Sequence, residues 1–90
     1  MFRVLVVDDD KNTRLLLKAV LEAESYTVYT ASNGVEALEV FEREHIDLLI
    51  VDIMMPSMDG YEFTEAVRIA DNDIPILMVS AKQLPSDKKQ

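Results

Sequence analysis

The 90-residue sequence predicts an α/β fold: a parallel sheet with helices over both faces. Three observations carry that expectation. Short apolar runs rich in β-branched residues, Val4 to Val7, Leu48 to Val51 and Ile76 to Val79, continue without polar alternation, as strands buried on both faces do. Between them lie stretches whose apolar residues recur at spacings of three and four, the pattern of amphipathic helices. The two kinds alternate along the chain, and strict alternation with buried strands implies parallel strands joined by crossover helices.

Each element has its own local reason. The first strand, Val4 to Val7, stops at Asp8, Asp9 and Asp10, where apolar burial gives way to charge. Residues 11 to 24 place Leu15 and Ala19, and Leu16, Val20 and Ala23, at helical spacing, and Asp10 or Asn12 can cap the start. Thr27 to Thr30 is a weaker strand, its Val and Tyr favouring extension and its threonines partial exposure. Residues 34 to 44 repeat the helical pattern with Val35, Leu38 and Phe41, opened by Asn33 and Glu36 as a loose capping box. The strand Leu48 to Val51 ends at Asp52. A helix over residues 60 to 69 is marked by Phe63, Ala66 and Val67, with Asp59 and Glu62 as its cap pair. Pro75 then leads into the strand Ile76 to Val79. The final stretch "QLPSDKKQ" contains Pro85, Ser86 and Asp87, the start signals of another helix, and predicts that Gln90 is a truncation and not a natural domain end.

Composition narrows the function. Seventeen acidic residues against nine basic ones give a net charge of -8, which argues against direct binding to a nucleic-acid backbone. With no cysteine, disulfides and thiolate metal sites are excluded, and a reducing cytoplasm suits the chain. The first apolar run is too short for a signal or membrane segment.

The chemistry gathers at strand ends. Asp8, Asp9 and Asp10 follow the first strand, Asp52 the third and Ser80 the fourth, so all are expected at the carboxyl edge of the sheet. Open parallel sheets bind ligands at that edge, where the winding reverses. In the flavodoxin-like doubly wound order 2-1-3-4-5, strands one and three flank the reversal, and Asp8, Asp9 and Asp52 converge although distant in sequence. Three gathered carboxylates repel one another, and a divalent cation is the simplest remedy. All-oxygen ligands without His or Cys suit Mg²⁺ or Mn²⁺, which leave room for a phosphate oxygen. A carboxylate such as Asp52 can then accept phosphorus as an aspartyl-phosphate.

At this point "VLVVDDD" (4 to 10), "NGVEAL" (33 to 38), "LLIVDIMMPSMDGYE" (48 to 62) and "IPILMVSAK" (74 to 82) resemble the receiver domains of two-component response regulators. The match runs through nearly the whole chain in order. The resemblance implies that Asp52 is the phosphoacceptor and that Asp8 and Asp9 hold Mg²⁺ with Asp52. It further implies that the Met54 backbone carbonyl is a ligand and that Ser80 is the switch hydroxyl that turns toward the phosphoryl group. It implies a histidine kinase or phosphotransfer protein as the partner, and a domain that assists its own phosphorylation and dephosphorylation without being a conventional enzyme. A receiver of this kind has about 120 residues. Residues 1–90 therefore read as an incomplete receiver, without the fourth helix, the fifth strand and its phosphoryl-contacting lysine, or the fifth helix. Lys82 matches a different family position. An uncovered strand at Ile76 to Val79 is a template for self-association of the 90-residue chain.

Blander roles fit other residues. Asp10 reads as a cap or a tuner of the metal site, Asp59 as a helix cap, and Met54, Met55 and Met58 as packing around a loop shaped by Pro56 and Gly60. His45 reads as a surface or helix-end residue, and Lys88 and Lys89 as a solvated face. Two other functions remain open to the sequence. One is a receiver-like interaction module that works without phosphorylation. The other is a phosphohydrolase of the haloacid dehalogenase type, disfavoured because the position two after Asp52, which should carry the general acid, is Met54.

Overall fold

The computed structural model of the chain describes residues 1–52, 60–70 and 73–79. Its elements are β1 (Arg3–Val7), α1 (Lys11–Ala23), β2 (Thr27–Ala31), α2 (Gly34–Arg43), β3 (Leu48–Asp52), α3 (Gly60–Ala70) and β4 (Ile76–Val79). The four strands form one parallel sheet in the order β2-β1-β3-β4. This is the doubly wound arrangement expected from the alternation of elements. The cap at Asp59, the loop residues Met54, Met55, Pro56 and Met58, and everything from Ser80 to Gln90 lie outside the described residues.

Burial follows the strand alternation of side chains. On one face Leu5, Val7, Leu49 and Val51 meet Ala37 of α2 and Phe63 and Val67 of α3, closed at the margins by Ile46 and Ile74. On the other face Val4, Val6, Val28 and Ile50 receive Leu17 and Leu21 from α1. The central strands β1 and β3 are thus buried on both sides, which is why their sequences run apolar without a break. Truncating a fully buried residue such as Leu49 to Ala would cost about 2–5 kcal/mol.

The helix α1 corrects one expectation. The periodicity of Leu15, Leu16, Ala19, Val20 and Ala23 is real, but all five are exposed, Leu16 by 64%, and the helix docks through Leu17 and Leu21 instead. Apolar residues occupy most of this helix's circumference, so spacing alone does not select the inward side. Val35 is likewise exposed, while Leu38 and Phe41 pack against the core as expected. The strand β4 is less buried than its sequence predicts: Leu77, paired in register with Ile50, remains 52% exposed.

Local chemistry sets the connections. Asp10 is the N-cap of α1 and Asn33 that of α2, accepting from the Glu36 N–H at 2.8 Å. The capping box closes one residue earlier than expected, because the Glu36 carboxylate accepts from the N–H and hydroxyl of Ser32 and not from Asn33. Those bonds from Ser32, main chain first, hold the Glu36 carboxyl below its ordinary range. At the end of α1, Tyr26 N–H donates to the Leu21 carbonyl and Ser25 N–H to the Glu22 carbonyl, a Schellman closure. It places Ser25 at φ 74°, a left-handed conformation usually given to glycine.

Candidate functional site

The topology brings Asp8 and Asp52 to one place. Val7 pairs with Val51, so the residue that follows β1 and the residue that ends β3 stand side by side at the carboxyl edge. The chain leaves β1 toward β2 on one side and returns to β3 on the other, making this junction the reversal point of the sheet. Asp8 and Asp52 are almost wholly buried, 2% and 1% exposed, and Asp9 is half-buried beside them. One carboxylate oxygen from each of the three lies within 4.8 Å of the others.

The connection from β1 to α1 is built to hold this arrangement. Asp8 N–H donates to the Ala31 carbonyl at 3.1 Å, which ties its main chain to β2. Asp8 Oδ1 accepts from the Asp10 N–H at 2.9 Å. Asp10 in turn takes the Asn12 N–H and, at 2.6 Å, the Thr13 hydroxyl, so its role is to cap the helix. Arg14 Nη1 donates to the Asp8 carbonyl at 2.7 Å and closes the turn from the helix side. The sequence reading did not single out Arg14; its only signal is a position six residues after Asp8, on the first turns of the following helix.

This donor set fits a hard divalent cation. Buried carboxylates of like charge are costly without compensation. Oxygens on opposite sides of an octahedral Mg²⁺ are about 4.2 Å apart, given bonds of 2.0–2.1 Å. Adjacent ligands are about 2.9 Å apart, so a trio within 4.8 Å closes on such an ion by side-chain rotation. His45, the lone histidine, is far from this chemistry: it is exposed and pairs through Nε2 with Asp47 Oδ1 at 2.8 Å, before β3 begins. The sequence-predicted Met54 carbonyl and Ser80 hydroxyl lie outside the described residues.

A doubly wound parallel sheet whose reversal point gathers two buried carboxylates and a half-buried third defines the class: an α/β domain with an acidic cluster at the carboxyl edge, where such sheets bind their ligands. Comparison with known proteins makes the assignment specific. Residues 4–90 match the response regulator receiver domain, and the chain belongs to that family. It is 45% identical over 85 residues to the "Probable transcriptional regulator ycf27" of Cyanidium caldarium, a match that covers 94% of this chain and 34% of that protein. It is 42% identical to the response regulator MprA of Mycobacterium ulcerans, over 96% of this chain and 37% of that one. The chain thus spans about a third of the length of these curated relatives. Among solved structures it resembles the response regulator TrrA of Thermotoga maritima in complex with Mg²⁺ and BeF, at a TM-score of 0.86 and 44% identity, covering 90% of this chain and 70% of that chain. TrrA in complex with the histidine kinase ThkA matches with a TM-score of 0.85 and 42% identity, over 94% of this chain and 73% of that one. Among the described residues no helix is long and apolar enough to cross a membrane.

Proposed function

We propose that Asp52 accepts a phosphoryl group from a partner histidine kinase, with Asp8 and Asp9 holding Mg²⁺ beside it. The observation that carries this reading is the gathering of three carboxylates, two of them buried, at the reversal point of a receiver-family sheet. The complexes of the relative TrrA with Mg²⁺–BeF and with ThkA support the same chemistry here.

In this reading the strand end fixes the nucleophile. An Asp52 carboxylate oxygen attacks the phosphorus of a phosphohistidine, a new P–O bond forms, and the P–N bond breaks with its electron pair going to the imidazole. The bound cation supplies charge neutralisation, without which the acidic trio would repel an incoming phosphate. Asp8 contributes by orientation: its main chain is anchored to β2 and α1, so little reorganisation is left for the transfer. By family resemblance the Met54 carbonyl completes the cation's ligands, and the Ser80 hydroxyl turns toward the new phosphoryl oxygens. The added charge then biases a surface that a partner reads.

The test uses acetyl phosphate as a small phosphoryl donor in the presence of Mg²⁺. The protein should take up acid-labile, hydroxylamine-sensitive label, and Asp52→Asn should take up none. Equal labelling of the two, or no labelling of the wild type under conditions that label another receiver, would refute the assignment and favour an interaction module that works without phosphorylation.

A further inference from the structure

The residues that would touch a cation or a phosphoryl group do not account for Arg14. Its side chain is half-buried, and its guanidinium reaches back across the turn to the Asp8 carbonyl at 2.7 Å. Ordering so long a side chain carries a cost in rotamer freedom. The charge does not explain the placement either. A cation close to the acidic trio works against the binding of a second cation, and Arg14 is near enough to this edge to help hold the Glu36 carboxyl below its ordinary range.

What the bond does accomplish is geometric. Asp8 is held at its N–H by Ala31, at Oδ1 by Asp10 and at its carbonyl by Arg14. The last of these links the end of β1 directly to α1, across the turn that carries Asp9. We propose that Arg14 is a positioning residue: by clamping the Asp8 carbonyl it fixes the turn on which Asp8 and Asp9 are mounted, and so strengthens divalent-cation binding by the trio. The inference rests on the metal-assisted reading above and assigns that site a determinant outside its ligand set.

Charge and position predict opposite signs, which makes the proposal testable. If Arg14 acted only through its charge, removing it would tighten binding of a divalent cation. If it acts by position, removal weakens binding, on the order of tenfold for loss of a group that orients metal ligands. Mn²⁺ affinity is measured on the full chain by the electron paramagnetic resonance signal of the free aqueous ion. Arg14→Met should raise the Kd about tenfold, while Arg14→Lys, which keeps a donor for the single bond that the clamp uses, should stay near the wild type. Labelling of Arg14→Met by acetyl phosphate should recover at saturating Mg²⁺, since Asp52 is untouched. Unchanged or tighter Mn²⁺ binding by Arg14→Met overturns the proposal, as does an Arg14→Lys variant that falls as far as Arg14→Met. Should Arg14→Met not fold, Arg14→Gln, neutral and too short for the reach, is held to the same expectations. A wild type that binds no Mn²⁺ overturns the metal-assisted reading itself, whereas a wild type that binds beside an unaltered Arg14→Met overturns only the role of Arg14.

Discussion

Strand β3 is preceded by one aspartate and ends in another, and the two have opposite surroundings. At the amino edge Asp47 is placed among donors: its Oδ2 accepts from the Arg3 N–H at 2.8 Å, its Oδ1 meets His45, and its own N–H donates to the Arg3 carbonyl. The Arg3 main-chain bond, with a smaller contribution from His45, holds its carboxyl below the ordinary aspartate range. At the carboxyl edge Asp52 is placed among like charges, with Asp8 and Asp9 within 4.8 Å. One edge uses a carboxylate to join strands, and the other collects carboxylates that favour an added cation. A residue type therefore says little about role until the edge is known, and parallel topology decides the edge.

The contrast can be broken most severely at Asp52, where Asn should abolish phosphoryl labelling altogether. The next largest effect is linkage to the cation. Mg²⁺ at a hundred times its Kd should raise the unfolding free energy of the wild type by about 2.7 kcal/mol. A chelator should reverse the gain in a denaturant titration, and an Asp8→Asn, Asp9→Asn double variant should show none of it.

Asp8→Asn alone should then reveal the sign difference between the edges. It keeps an oxygen to accept the Asp10 N–H and removes a charge from the trio, so the metal-free protein should become more stable by roughly 1–3 kcal/mol, the repulsion of charges at this separation in a partly shielded site. Mn²⁺ binding should weaken in the same variant. A loss of metal-free stability would place Asp8 with Asp47, as a carboxylate whose charge the fold uses. Ser25, at the amino edge, offers a smaller test: Gly at its left-handed position should add about 0.5 kcal/mol in thermal unfolding.

The smallest expected effect belongs to Asp47→Ala, because solvent screens a partly exposed carboxylate. Its pH dependence is diagnostic. The folded carboxyl sits below its unfolded value, so the stabilisation is fully present at neutral pH and is lost as the pH falls through the folded value, below about pH 4. The wild type should exceed Asp47→Ala at pH 7, and that difference should shrink on acidification.

Much of this was legible from the chain, and the misses are instructive. The strands, the helices and the caps at Asp10 and Asn33 follow from β-branched runs, helical spacing and residues that accept main-chain hydrogen bonds. The Asp8, Asp9 and Asp52 grouping was readable because strand alternation constrains topology so strongly. The inward side of α1 was not, since Leu16 and Val20 are as apolar as Leu17 and Leu21, and only docking against β1 and β2 separates them. Nor was the Arg14 clamp, because a helical arginine reads as a solvated charge until the strand end it reaches is in place.

The sequence by itself determined the order and type of the elements, because those depend on interactions between near neighbours in the chain. Only the tertiary structure decided that Leu77 remains open beside buried Ile50 and that Asp47 ties two strands together. These depend on distances between segments far apart in sequence, and packing of the sheet and its helices sets them.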